Sequence, residues 1–99
     1  MAELTRSEVI QIIAMNSGKG VTLRGVDLSA LDLRNLELSG ANLEMANLTG
    51  ASLRSANLSK ANLHAAHLDY ADLSEAQLQG AVFREASLVG ADLRDADLT

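Results

Sequence analysis

Two histidines three residues apart, His64 and His67, with Asp69 and Asp72 close by, are the residues whose types and spacing come nearest to metal chemistry. A zinc-type site ordinarily needs three or four protein ligands in fixed geometry. Because polar residues recur at outward positions along the whole chain, the pair reads as surface histidines. Ser17-Gly18-Lys19-Gly20-Val21-Thr22 has phosphate-loop ingredients, but a phosphate loop needs Gly-Lys-Ser/Thr between a strand and a helix. Here the segment follows a helical pattern and reads as a helix stop. Asn47-Leu48-Thr49 and Asn57-Leu58-Ser59 match the glycosylation sequon only because a repeat sets Asn, Leu and a hydroxyl residue in that order. With no Cys there is no thiolate zinc site, disulfide scaffold or cysteine nucleophile, and no hydroxyl has a positioned histidine beside it. The expectation is a chain with no catalytic residues, no cofactor, no metal and no small-molecule substrate.

The elements that carry these residues are set by composition. Ninety-nine residues make one small domain, and the 47% hydrophobic content comes chiefly from 18 Leu and 16 Ala, with Tyr70 and Phe83 the two aromatics. The longest apolar runs are a few residues, too short for a membrane helix or a signal peptide, so a cytoplasmic, non-membrane protein is expected. The net charge is −5, and the sequence pI near 4.8 without a basic stripe disfavours direct nucleic-acid binding.

From residue 21 the chain repeats every five residues. Every fifth position from Leu23 to Leu98 is Leu, except Phe83. Two residues earlier stand Val21, Val26, Leu31 and Leu36, then Ala at every such position from Ala41 to Ala96. A five-residue step leaves a net turn of about 140° on an α-helix, so the leucines would spiral round the rod. On an uninterrupted strand an odd step sends successive leucines to opposite faces. The pattern works only if each unit holds a short extended stretch and a turn that resets the phase. Ala and Leu, two apart, then share the inner face, and the Asp or Asn between them faces outward.

These units, Ala-(Asp/Asn)-Leu-x-x over residues 21–99, resemble the pentapeptide-repeat family. The resemblance implies an all-β solenoid, a right-handed quadrilateral β-helix of about four coils at 21–40, 41–60, 61–80 and 81–99, about 19 Å long at strand spacing. Leu43, Leu48, Leu53, Leu58, Leu63, Leu68, Leu73, Leu78, Phe83 and Leu88 are its expected core. Alanine is expected at the second inward position because leucines converging from four sides leave room for only a methyl group. The bulky residues of the first coil predict an enlarged first turn. Gly40, Gly50, Gly80, Gly90 and Gly25 close their units, where a positive φ would be convenient.

Residues 1–20 are expected to form a capping helix and connector ahead of the 21–99 solenoid. Thr5 and Glu8 make a capping box, Leu4 and Val9 a staple, and Val9, Ile12 and Ile13 lie on an apolar helical face. Such a short N-terminal α-helical cap would cover an open coil edge. The last coil lacks an equivalent, and Val82 and Val89 occupy outward positions that are polar in nearly every other coil. With Leu93 and Leu98 they define an expected interaction face, met by a second copy in a two-fold homodimer or by another repeat protein.

Family members that this chain resembles include quinolone-resistance proteins, which bind DNA gyrase by imitating duplex DNA. A 19 Å duplex would present about 11 charges. The solenoid carries a net −5, and Arg34, Arg54 and Arg94 interrupt its most acidic side. The expected role is therefore a non-catalytic scaffold or protein-interaction module, with a DNA mimic directed at gyrase or a related topoisomerase as the alternative.

Overall fold

The computed structural model describes residues 2–16 and 20–99. Ser17, Gly18 and Lys19, the centre of the expected helix stop and of the phosphate-loop resemblance, lie outside the described residues.

Helix α1 spans Arg6–Met15. Its start is held reciprocally: the Glu8 N–H donates to Thr5 Oγ1 at 3.2 Å and the Thr5 N–H donates to Glu8 Oε1 at 2.9 Å, which satisfies two donors that a helix N-terminus otherwise leaves open. At the other end the Asn16 side-chain Nδ2 donates to the Ile12 carbonyl at 2.6 Å. Val9 is fully buried, while Ile12 and Ile13 are half-buried against the same core.

Residues 21–99 wind with a period of 20. Parallel bridges run Thr22, Asn42, Asn62, Val82 on the first side and Asp27, Asn47, His67, Ser87 on the second. Asp32, Ser52, Asp72, Asp92 form the third and Glu37, Asn57, Gln77, Asp97 the fourth. The unit 41–45 shows how one repeat satisfies all five of its N–H groups. Ala41 donates to Leu38 O at 3.1 Å and closes the preceding turn; Asn42 reaches back to Val21 O at 2.7 Å; Leu43 and Met45 reach forward to Asn62 O at 2.8 Å and His64 O at 2.9 Å. The fifth, on Glu44, donates to the Asn42 side-chain Oδ1 at 3.0 Å. This is why Asp or Asn precedes the leucine: its short side chain, two residues back, accepts the one backbone donor that neither the turn nor the next coil can take.

The residue two after each leucine sits at positive φ in every unit from Gly25 to Asp95. Gly25, Gly40, Gly50, Gly80 and Gly90 do so without a Cβ penalty, as expected. Ten others, Ala30, Asn35, Met45, Ser55, Lys60, Ala65, Tyr70, Glu75, Glu85 and Asp95, adopt it at φ from 57° to 64°. None of these is β-branched, the class for which that region is most forbidden. A left-handed residue costs roughly 1 to 2 kcal/mol, and here the turn and coil-to-coil bonds on either side hold it in place.

The leucines at every fifth position from Leu28 to Leu78 and the alanines at every fifth position from Ala41 to Ala76 are almost wholly buried. Phe83 and Leu88, expected in the core, are only half-buried, as are Ala81, Ala86, Leu93 and Ala96, because no further coil in this sequence lies over them. In the first coil Val21 and Leu36 are buried, whereas Val26 and Leu31 are half-buried against the same core.

Candidate interaction surface

The turns decide which side chains can do chemistry, since they carry the two outward residues of every unit. His64 is half-buried in its turn with its N–H on Asn62 Oδ1 at 3.0 Å, and His67 is exposed on the second side. The nearby carboxylates are otherwise engaged. Asp69 accepts from the Ser87 hydroxyl in a short bond and from the Val89 N–H at 3.0 Å. Asp72 accepts from the N–H and hydroxyl of Ser74 at 2.9 and 2.6 Å. Among the described residues no group of three His, Cys, Asp or Glu is placed to hold a metal ion.

The acidic third side is laced by arginines. Arg34 grips Asp32 through Nε at 2.8 Å and Nη2 at 2.9 Å, and Arg94 grips Asp92 in the same two-pronged way at 3.0 and 2.7 Å. Arg54 reaches Glu75 at 2.9 Å, and off this side, in the turn after the first side, Arg24 reaches Glu44 at 2.8 Å. A shallow depression on the third side is lined by Arg54, Ser74, Glu75, Arg94 and Asp95. The pairs are solvent-exposed, so each contributes little to stability, but together the three arginines of the third side offset part of the negative charge of its five carboxylates.

The carboxylates of these rows titrate low. Asp92 is drawn down to about 2, chiefly by the side-chain bond from Arg94 and then by the Arg94 N–H. Asp32 is lowered in the same way by Arg34, Glu44 by Arg24, Glu37 by Ser39, Asp27 by Ser29 and Asp97 by Thr99. A carboxylate whose folded pKa is depressed stabilises the fold above its unfolded value and loses that contribution as pH falls through the folded one. The melting temperature should therefore hold steady from about pH 7 to pH 5 and fall between about pH 4 and pH 2. Circular-dichroism melts across that range check this, and a melting temperature that stays level down to pH 2 would contradict it.

In the last coil two outward positions are apolar. Val82 is 46% exposed and Val89 62%, in rows otherwise filled by Thr22, Asn42 and Asn62, and by Ser29, Thr49 and Asp69. Leu98 is also well exposed and Leu93 half-buried. Sequence reasoning missed Tyr70, exposed in the turn one coil above. Its ring lies so close to Gly90 that a Cβ there would stand 2.6 Å from Tyr70 Cδ1. Tyr70, Val89 and Gly90 thus form one continuous patch, and the sequence signal was an aromatic one coil before a glycine at the same turn position.

No curated protein matches this sequence. Among solved structures the chain is similar to HetL, a pentapeptide-repeat protein involved in heterocyst differentiation regulation from the cyanobacterium Nostoc sp. strain PCC 7120, at 39% identity over 82% of this chain and 42% of HetL, with a TM-score of 0.48. It is similar to alr5209, a pentapeptide-repeat protein of Nostoc PCC 7120, at 34% identity over 90% of this chain and 75% of that one, with a TM-score of 0.52. It is also similar to QnrB1, a plasmid-mediated fluoroquinolone resistance protein, at 32% identity over 71% of this chain and 39% of QnrB1, with a TM-score of 0.44. The chain thus spans about two fifths of the length of HetL and of QnrB1. The family model for pentapeptide repeats matches residues 19–44, 32–68, 46–84 and 61–99, the same stretch over which the 20-residue coils repeat, and the chain belongs to the pentapeptide-repeat family.

Proposed function

We propose that this chain is a non-catalytic interaction module that self-associates through its last coil. In this reading residues 21–99 wind as a right-handed quadrilateral β-helix and residues 1–20 are its cap and connector. The observation that carries it is the pair Val82 and Val89, which stand outward and exposed where the earlier coils place polar residues. Apolar side chains at outward positions of a rigid repeat frame add nothing to the core and mark a contact surface. Tyr70 adjoins Gly90 beside Val89, and Leu93 and Leu98 belong to the same last coil, so the contact surface is that coil taken as a whole, for which a two-fold dimer is the commonest closed arrangement.

The test is the solution mass by light scattering over a concentration series, on the wild type and on a Val82→Asp, Val89→Asp double variant. A dimer that the double variant dissociates is expected. A monomer at all concentrations up to high micromolar would overturn self-association. The gyrase-directed alternative is disfavoured by the paired arginines on the third side, since a duplex imitation needs an unbroken row of negative charge.

A further inference from the structure

Each coil has two edges of opposite hydrogen-bonding character. Toward the next coil it offers the N–H groups of its leucine and of the residue two further on, with the carbonyl of its alanine as acceptor. Between coils two and three on the third side these are Leu53 N to Asp72 O at 2.7 Å, Ser55 N to Ser74 O at 3.0 Å and Asp72 N to Ala51 O at 3.0 Å. Toward the preceding coil it offers the complement. The first coil has no preceding coil, so Asp27, Asp32 and Arg34 present this complement on the second and third sides.

The N-terminal segment fills it with substitutes for a coil edge. The Glu3 N–H donates to Asp27 O at 2.8 Å, where a leucine N–H would stand, and the Glu3 carboxylate accepts from the Asp27 N–H at 2.6 Å, where an alanine carbonyl would stand. The Arg6 guanidinium donates from Nη1 to Asp32 O at 2.9 Å and from Nη2 to Arg34 O at 3.0 Å. Those two carbonyls correspond to Asp72 O and Ser74 O two coils further along the same side, so one side chain replaces two backbone donors. Val9 is fully buried in the same core as the leucines.

We propose that residues 3–9 imitate the edge of a coil, and that what they exclude is the last coil of a second copy of this chain. Among the described residues, the N–H groups of Leu88, Gly90, Leu93 and Asp95 have no partner. In the register of the existing rows they match Asp27 O, Ser29 O, Asp32 O and Arg34 O of the second copy. Phe83, Leu88, Leu93 and Leu98 would continue the rows of Leu23, Leu28, Leu33 and Leu38. That contact is head-to-tail and does not close, so it would propagate as a rod. The mimicry of Glu3 and Arg6 therefore restricts the chain to association by its last coil alone. The inference rests on the reading of that coil as an association surface, but it concerns the opposite end.

The test uses the full chain with Glu3→Ala and Arg6→Ala together, and with Arg6→Gln alone, keeping Thr5, Glu8 and Val9. Light scattering, electron microscopy and circular dichroism are read at concentrations where the wild type holds its mass. The expected result is a concentration-dependent rise of at least tenfold in mass with the wild-type spectrum, as unbranched rods about as wide as one molecule, whose extents are 31 × 29 × 21 Å. Variants that keep the spectrum and the wild-type mass overturn the proposal, as does amorphous aggregate. Should the double variant unfold, Arg6→Gln decides by the same two outcomes. A monomeric wild type whose variants form rods would sink the dimer and keep this proposal; a dimeric wild type whose folded variants stay dimeric would do the reverse.

Discussion

Leu53→Ala should destabilise the chain by about 2 to 5 kcal/mol, the range for removing a buried leucine and leaving a cavity behind. Leu53 is fully buried in the second coil, between Leu33 and Leu73 of its row, which are likewise buried. The backbone around it is pinned by bonds to coils on both sides, with Ser52 N on Leu31 O at 2.9 Å and Leu53 N on Asp72 O at 2.7 Å. The walls therefore cannot collapse into the vacancy, which puts the cost toward the upper part of the range. A domain of this length is stable by only about 5 to 15 kcal/mol in total, and each kcal/mol corresponds to about 4 to 8 °C in melting temperature. A fall of 10 °C or more is expected in a circular-dichroism melt. Leu93→Ala, in the half-buried last coil, removes the same atoms from a site open on one side and should cost visibly less. Equal shifts for the two would contradict the layered arrangement in which each coil is covered by its neighbours.

The contrast between these sites was legible in the sequence only in part. The five-residue phase places Leu, Ala and the outward residues on their faces by steric necessity, and Val82 and Val89 stand out because they break that phase. The capping box of Thr5 and Glu8 is equally local, spanning three residues. What the phase does not carry is the reason for each outward residue. Asp and Asn before the leucine look merely water-facing until the backbone shows that their Oδ1 accepts the N–H two residues on, at 2.9 to 3.1 Å from Asn42, Asn47, Asn57, Asn62 and Asp72. Glycines advertised the positive-φ turn, yet Tyr70 and Glu85 adopt it too, because the closing bonds fix the turn whatever side chain it bears. Glu3 and Arg6 were invisible as contacts. Their partners lie 24 to 28 residues away, and their role emerges only once they are seen to take the places that a coil edge takes elsewhere in the winding.

Ala71→Leu should cost about 1 to 3 kcal/mol by overpacking, and the structure explains why the same residue type is accepted two coils earlier. The row is Leu31, Ala51, Ala71, Ala91. Leu31, in the first coil, is half-buried, whereas Ala51 and Ala71 are 1% exposed between complete layers. Interiors packed at crystal density have no space for three added carbons, and the bonds of Asp72 N to Ala51 O at 3.0 Å and Asp92 N to Ala71 O at 2.9 Å prevent the coils from parting to make it. The added bulk can be relieved only by pushing Leu73 out of its row or by breaking those bonds. A urea titration should show a lower midpoint with an unchanged slope, the mark of lost stability without a change in the surface exposed on unfolding. Ala91→Leu, at a half-buried place in the last coil, should move the midpoint less. If Ala71→Leu unfolds at the wild-type midpoint, the small inward position is not set by the four converging leucines, and the steric account of the alanine row fails.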